Sequence, residues 1–272
     1  MNSKILVLGA GYIGQRIREA FDCNIWRERI VSFSSVQEAI NKFKPGIIIN
    51  CIGHSGRNVD DCERDLDKTL CSNAFVPVML AEAAIRNKIK LIHISSGCIY
   101  RFDYKKDRPL AERKIPDFFS LFYSRSKIYS ERALEILSDK FNILIIRIRI
   151  PLDNRPHPKN LLDKLIHYKK VIALANSVTY MPDFIRALRH LIRIDARGIY
   201  NVVNKGGLSY PDLMEIYRKY NPSFKYQVID FKKLNIVRTN LLLSTKKLQQ
   251  SGFTVRSTKE VLEECVEDYL KY

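Results

Sequence analysis

Two short stretches of the chain carry residue types that can deliver a proton to a carbonyl oxygen. Ile94-Ser95-Ser96-Gly97-Cys98-Ile99-Tyr100 reads as the end of a buried strand running into a polar turn, and Tyr123-Ser124-Arg125-Ser126-Lys127 sets a phenol and an ammonium four residues apart. On a helix that spacing puts both groups on one face. A phenol of ordinary pKa ~10 beside a fixed positive charge becomes a usable acid near neutrality. A hydroxyl from the first stretch, Ser96 or its rival Ser95, can hold a substrate carbonyl between them. Such a site needs a source of hydride and a scaffold that carries it to the ketone.

The start of the chain has the pattern of that source. Lys4 to Leu8 is a short apolar run, followed by Gly9-Ala10-Gly11-Tyr12-Ile13-Gly14 and a helix-like stretch to Phe21. In a dinucleotide site Gly9 permits the tight turn, Gly11 lets the backbone approach the pyrophosphate, and Gly14 lets helix and strand pack closely. The helix N-terminus, at Tyr12 and Ile13, offers amides and a partial positive charge to the phosphates. Further on comes Trp26-Arg27-Glu28-Arg29. Glu28 would suit a ribose hydroxyl and hence NADH. The arginines, Arg29 ahead of Arg27, suit a 2′-phosphate, because guanidinium matches phosphate geometry. The expected cofactor is NADPH, with NADH the alternative.

Apolar runs alternate with helical stretches through the first half. Ile47 to Ile52 and Lys90 to Ile94 read as strands buried on both faces, as in a parallel sheet. Asn50, Cys51 and Gly53 close the first of these runs, at the strand end where ligands bind in such sheets. A long helix is expected over Asp67 to Arg86, with Asn73 inside it and Pro77 bending or restarting it. Phe102 to Phe119 is a polar, basic loop; a helix runs from Tyr123 to about Ser138, and a strand over Asn142 to Ile150 is stopped by Pro151. This order predicts an α/β fold, a Rossmann-type doubly wound parallel sheet with right-handed crossovers. After Pro151 the pattern changes. Short elements, including a helix over Asn160 to Tyr168 and a strand over Gly198 to Val203, predict a smaller C-terminal lobe. The expected division is 1–151 and 152–272, the second part interleaved with the first.

Composition narrows the class. A length of 272 residues, 46% hydrophobic and 28% charged, fits a globular protein with a sizeable core. No run of about 18 apolar residues predicts a membrane span. Met1-Asn2-Ser3 leads straight into the first strand without the pattern of a signal peptide, so a soluble, cytoplasmic protein is expected. The six cysteines form no CxxC and no zinc-like spacing with the five histidines, so no metal is expected. The net charge of +17 is spread along the whole chain. That distribution points to a phosphate-bearing ligand rather than to nucleic acid.

The glycine turn, the serines at a strand end and Tyr-x-x-x-Lys on the next helix together resemble the extended short-chain dehydrogenase/reductases. The resemblance implies that Ser96 polarises a substrate carbonyl, Tyr123 donates the proton, and Lys127 lowers the tyrosine pKa and holds the nicotinamide ribose. Asn73 matches the helix-bulge asparagine of the family's proton relay, and Arg149 is placed on the cofactor. Ser96-Gly97-Cys98-Ile99-Tyr100, Arg57-Asn58-Val59-Asp60-Asp61-Cys62-Glu63, Arg147-Ile148-Arg149-Ile150-Pro151, Asn176-Ser177-Val178-Thr179 and Gly198-Ile199-Tyr200-Asn201 resemble more specific segments. These belong to the 3,5-epimerase/4-reductase that completes UDP-rhamnose synthesis and, more loosely, to dTDP-4-dehydrorhamnose reductase.

In the bifunctional enzymes a cysteine and a later lysine epimerise; the matching positions are Cys98 and Lys164. Moving protons at C3 and C5 beside a C4 ketone needs one group on each side of the ring, which a thiolate and an ammonium can supply. The resemblance further places Asn160, Asn176, Ser177 and Arg238 on a nucleotide-sugar substrate in the smaller lobe. It implies a separate 4,6-dehydratase upstream, and a homodimer through the helices near Asn73 and after Tyr123. A 4-reductase without epimerase activity is the alternative function. Where the related enzymes carry Leu-Asp after the arginine, this chain has Leu243-Ser244, which leaves no acidic contact there.

Overall fold

The computed structural model describes residues 4–272; Met1 to Ser3, which the sequence places ahead of the first strand, lie outside the described residues. In chain order the elements begin β1 (Ile5–Leu8), α1 (Tyr12–Phe21), β2 (Asn24–Trp26), α2 (Phe33–Phe43), β3 (Ile47–Asn50), α3 (Asp61–Arg64) and α4 (Leu66–Leu70). A π-helical turn (Cys71–Phe75) follows, then α5 (Val76–Arg86), β4 (Lys90–Ser96), α6 (Phe122–Ser138) and β5 (Ile143–Ile148). Then come β6 (Pro151–Leu152), α7 (Leu161–Tyr168), β7 (Lys170–Ile172), β8 (Thr179–Tyr180), α8 (Met181–Arg193) and β9 (Gly198–Asn201). The chain ends with α9 (Tyr210–Tyr220), β10 (Gln227–Ile229), a 3₁₀ turn (Phe231–Leu234), α10 (Lys246–Gln250) and α11 (Thr258–Tyr269).

Two compact units exchange segments along this order. Among the described residues the first comprises 4–99, Pro116–Arg147 and Ile192–Tyr200; the second comprises Tyr100–Ile115, Ile148–Leu191 and Asn201–Tyr272.

The first unit is built on a six-stranded parallel sheet in the order β2-β1-β3-β4-β5-β9, flanked by helices. Every residue of β3 and β4 is buried, as the uninterrupted apolar runs require of strands covered on both faces. Leu6, Ile48, Leu80, Leu91, Leu134 and Ile145 belong to one core cluster of sheet and helix side chains. Each such side chain stabilises the fold by about 1.5–3 kcal/mol when fully buried. The chain leaves β1 toward β2 and resumes at β3 on the other side of β1, which puts the switch point of a doubly wound sheet at the C-terminal ends of β1 and β3. Gly198–Asn201, expected in the smaller lobe, is instead the edge strand of this sheet beside β5. A strand of four residues carries no mark of its partner in its own sequence.

The long helix expected over Asp67 to Arg86 runs as α4, the π turn and α5. Pro77 sits in the first turn of α5 and has no N–H to donate. Immediately before it, Val76 N donates to Cys71 O, five residues back, so the widened turn absorbs the break instead of a kink.

The second unit holds two short parallel strand pairs, β6 with β8 and β7 with β10. Its core includes Leu162, Val171, Tyr180, Leu213, Val261 and Cys265. Arg256 donates to Asp183 at the start of α8 and to Glu264 of α11, each at 2.6 Å, and ties those two helices together. Ile150, just before Pro151, holds a left-handed backbone (φ 36°), which costs a β-branched residue about 1–3 kcal/mol. Among the described residues no helix is long and apolar enough to cross a membrane.

Candidate active site

The glycine turn after β1 has three different steric requirements. Gly9 adopts φ +99°, and a Cβ there would lie 2.7 Å from Ile52 N in the segment after β3. A Cβ on Gly14 would lie 2.0 Å from Gly9 O, so α1 can approach β1 only with glycine at that position. A Cβ on Gly11 would meet nothing within 4 Å, so its backbone faces open space. Gly11 is also the N-cap of α1, with no side chain to bond the first amides and no acidic residue in the first turn. The partial positive charge of the helix end is therefore left for an anion. This arrangement fits a dinucleotide pyrophosphate. Tyr12 is buried and Ile13 half-buried behind the turn, while Arg27, Glu28 and Arg29 are exposed directly after β2.

At the end of β3, Asn50 Oδ1 accepts from Ile52 N (2.9 Å) and fixes the amide so that Nδ2 donates to His93 Nδ1 (3.0 Å). That pairing puts the proton of the neutral imidazole on Nε2, which has no partner among the described residues. Burial, and then the charge of Lys127, hold His93 well below its ordinary pKa. Asn50 thus braces β3 against β4, a use of its side chain that the cofactor assignment did not anticipate. A Cβ on Gly53 would lie 3.2 Å from Lys127 Nζ and 3.3 Å from Asn73 Oδ1, so the strand-end backbone rests against both groups. Asn73, in the π turn, accepts from His54 N (2.7 Å) and donates to His54 O (2.9 Å) and to Ser126 Oγ (3.0 Å). Ser126 in turn donates to Tyr123 O (2.8 Å). Asn73 therefore links the segment after β3 to the first turns of α6.

The two stretches with proton chemistry are brought together in the first unit. Ser96 Oγ accepts from Cys98 N (3.1 Å), and Ser124 Oγ donates to Cys98 O (2.6 Å). The Gly97-Cys98 turn is thereby pinned at one side to the last residue of β4 and at the other to the residue after Tyr123. Cys98 is half-buried and not disulfide-bonded. Lys127 is buried, and desolvation pushes its pKa down to about 8 against the opposing pull of Glu131. Ser95, the rival hydroxyl, donates to Glu131 Oε2 (2.6 Å). Glu131 was not singled out from the sequence, although it lies one further turn along the face that carries Tyr123 and Lys127.

The second unit holds Lys164, Asn160, Asn176, Ser177, Arg149 and Arg238. Lys164 is half-buried on α7, and burial, then the charge of Lys159, lower its pKa. Three residues expected on the substrate also hydrogen-bond within the fold. Asn160 caps α7: Oδ1 accepts from Asp153 N and Leu162 N while Nδ2 donates to Asp153 O and Arg155 O, which uses its whole capacity. Asn176 Oδ1 accepts from Arg149 Nη2 and Leu241 N, and Nδ2 donates to Asn240 Oδ1. Ser177 Oγ accepts from Leu243 N. Arg149, expected on the cofactor, directs its guanidinium to Asn176 and to Thr239 Oγ1 and O. Arg238 is half-exposed and donates to Val237 O. Among the described residues no group of three or more His, Cys, Asp or Glu could hold a metal ion.

A family model described as RmlD substrate binding domain matches residues 3–219. A trifunctional UDP-glucose 4,6-dehydratase/UDP-4-keto-6-deoxy-D-glucose 3,5-epimerase/UDP-4-keto-L-rhamnose-reductase of Arabidopsis thaliana is 28% identical over 276 residues, 95% of this chain but 41% of that protein. The chain thus spans about two fifths of that relative's length. A bifunctional dTDP-4-dehydrorhamnose 3,5-epimerase/dTDP-4-dehydrorhamnose reductase of the same plant is 30% identical over 247 residues, 86% of this chain and 80% of that one. Among solved structures, the L780 UDP-rhamnose synthase of Acanthamoeba polyphaga mimivirus matches with a TM-score of 0.90 at 23% identity, covering 98% of this chain and 100% of that one. A dTDP-4-dehydrorhamnose reductase from Bacillus anthracis str. Ames, in complex with NADP, matches at 0.84 with 22% identity, covering 98% and 99%. At these identities the two structures speak for the fold. The family model and the bifunctional plant relative go further: this chain belongs to the RmlD substrate binding domain family of extended short-chain dehydrogenase/reductases.

Proposed function

We propose that this chain reduces the C4 ketone of a nucleotide-linked 4-keto-6-deoxyhexose with NADPH, after epimerising C3 and C5, and so forms a nucleotide-linked rhamnose. The observation that carries the reading is the Gly97-Cys98 turn, bonded both to Ser96 and to the helix residue next to Tyr123. A turn that carries a thiol is thereby tied to the strand end with the reductase-type hydroxyl and to the helix that carries the phenol and the ammonium, which supports the reading. Both plant relatives carry epimerase and reductase in their names, which supports the same pairing of activities.

The cofactor would be held by Gly9, Gly11 and Gly14, the start of α1, Gly53 and Lys127, with Arg29 on the 2′-phosphate. When bound, NADPH supplies the hydride for C4. The chain's own residues do the rest. Ser96 donates a hydrogen bond to the C4 oxygen and, with Tyr123, stabilises the enolate that forms when a proton leaves C3 or C5. Cys98 and Lys164 serve as the two proton-transfer groups, one removing the carbon-bound proton and the other returning one to the opposite face. Tyr123 then protonates the C4 oxygen during reduction, and Lys127 offers its charge to the phenolate left behind. A 4,6-dehydratase carried outside these residues supplies the ketone. An apolar groove on the first unit, lined by Val31, Leu70, Phe75, Val78, Met79 and Tyr129, is the surface proposed for a homodimer.

Incubation with NADPH and UDP-4-keto-6-deoxyglucose in deuterated water tests both halves. A reduced sugar with deuterium at C3 and C5 is the expected product. Reduction without deuterium leaves a 4-reductase alone, and no oxidation of NADPH with either the UDP or the dTDP ketone overturns the enzyme reading. Tyr123→Phe is expected to lower reduction about 10²–10⁴-fold, the usual contribution of a positioned acid. Cys98→Ala should lose deuterium incorporation while still reducing a ketone that is already epimerised.

A further inference from the structure

Three acids and bases share one face of α6. Tyr123, Lys127 and Glu131 follow at intervals of four residues, so the carboxylate lies one turn beyond the ammonium. Glu131 and Arg147 are each 1% exposed. Arg147, on β5, donates Nε to Glu131 Oε1 (2.8 Å) and Nη2 to the same oxygen, while Ser95, at the end of β4, donates to Oε2 (2.6 Å). One carboxylate thus cross-braces the helix of the proton donor to two neighbouring strands of the sheet.

Such a pair is a poor choice for stability alone, since a well-packed apolar pair of similar volume is often as stable. The surroundings of Lys127 give it a second use. The titratable groups that act on Lys127 from the packed elements are Cys51 after β3, Cys62 on α3, His93 on β4 and Glu131 on its own helix. Burial raises the pKa of both thiols and lowers that of the imidazole, so all three are neutral near pH 7. Glu131 is then the one anion in that set. Buried Lys127 would otherwise lose its proton to desolvation.

We propose that Glu131 is a positioning residue for the reduction: its carboxylate, fixed by Arg147 and Ser95, keeps Lys127 an ammonium at neutral pH. It touches neither ketone nor hydride donor and acts only through Lys127. The inference rests on the reading of Tyr123 and Lys127 as the reducing pair.

The test is the pH profile of kcat/KM for ketone reduction at saturating NADPH. In Glu131→Gln the alkaline limb should move down by roughly one pH unit or more, the usual effect of one opposite charge at close range. Activity at pH 8 should fall about fivefold or more relative to wild type and recover when the pH is lowered toward 6.5. Glu131→Asp, which keeps the charge, should keep the limb in place. If Glu131→Gln is too unstable to assay, E131Q/R147M, which removes both partners of the Glu131–Arg147 ion pair, is read in its place. A limb that stays at its wild-type pH in the folded variant, whatever the loss in rate, overturns the inference. Wild-type protein that oxidises no NADPH with the ketone overturns the reductase reading itself, a different result.

Discussion

Ser95 and Ser96 sit side by side at the end of β4, and their hydrogen bonds separate their duties. The Ser95 hydroxyl gives its proton to Glu131. Among the described residues the Ser96 hydroxyl only accepts, from Cys98 N, which leaves its proton for a carbonyl oxygen. The sequence leaves the pair open because both are serines at a strand end. Their partners, a helix residue 36 positions on and a turn residue two positions on, are set by the fold. Ser96→Ala should lower kcat/KM for reduction about 10²-fold, the cost of removing one donor from a developing oxyanion. Its melting temperature should stay near that of wild type. Ser95→Ala should do the reverse. It leaves a buried carboxylate oxygen short of a donor, which costs about 1–3 kcal/mol of stability, and reduction should fall less than about tenfold. Steady-state kinetics and thermal denaturation of the two variants decide it; the opposite ranking would assign the carbonyl to Ser95.

At the scale of elements, the turn from β1 into α1 separates glycines that pack from a glycine that stays open. Gly14→Ala drives a methyl group to within 2.0 Å of Gly9 O, so α1 must shift off β1. The expected loss is about 1–3 kcal/mol, as for overpacked cores. Gly11→Ala adds its methyl group to open space at an ordinary negative φ of −80°. It should melt like wild type but bind NADPH at least about tenfold more weakly, because the methyl group stands where the pyrophosphate must approach. Equal NADPH affinity for Gly11→Ala and wild type would remove the pyrophosphate from this turn. These glycines were legible in the sequence because their demands are local: a turn, a cap and a close contact within a few residues. The buried strands were legible for the same reason, from apolar runs such as Ile47 to Ile49. What escaped was tertiary pairing. Gly198–Asn201 reads as a strand, but its place beside β5 does not show in four residues. The internal partners of Asn176 and Ser177 do not show either, because the backbone amides they serve come from a distant segment, Leu241 to Leu243. Glu131 could have been found from its helical spacing alone. Its meaning needed Arg147 and Ser95, from two other elements.

The whole molecule is basic, with a net charge of +17, and further protons add to self-repulsion as the pH falls. One buried group gives that trend a defined onset. His93 is fully buried beside Asn50 and Lys127, and its folded pKa lies well below the ordinary 6.5. In the unfolded chain it takes up a proton as the pH falls below about 6.5; in the folded protein it does not. The unfolded state then binds more protons, so stability must decrease as the pH drops, by about 1.4 kcal/mol per pH unit for one such group. Above the unfolded value the contribution is fully present. The carboxylates that hydrogen bonds hold below their usual range, Asp195, Glu264 and Asp268 among them, act only at more acid pH, below about 4. Urea denaturation at constant ionic strength should therefore show unfolding free energy falling between pH 6.5 and 5, before the carboxylates contribute. His93→Asn keeps a polar partner for Asn50 but cannot take up a proton, so its stability should be flatter over that interval by the same 1.4 kcal/mol per unit, approximately. An unchanged slope in His93→Asn would mean that His93 is not held neutral in the fold, and that another group governs the acid sensitivity.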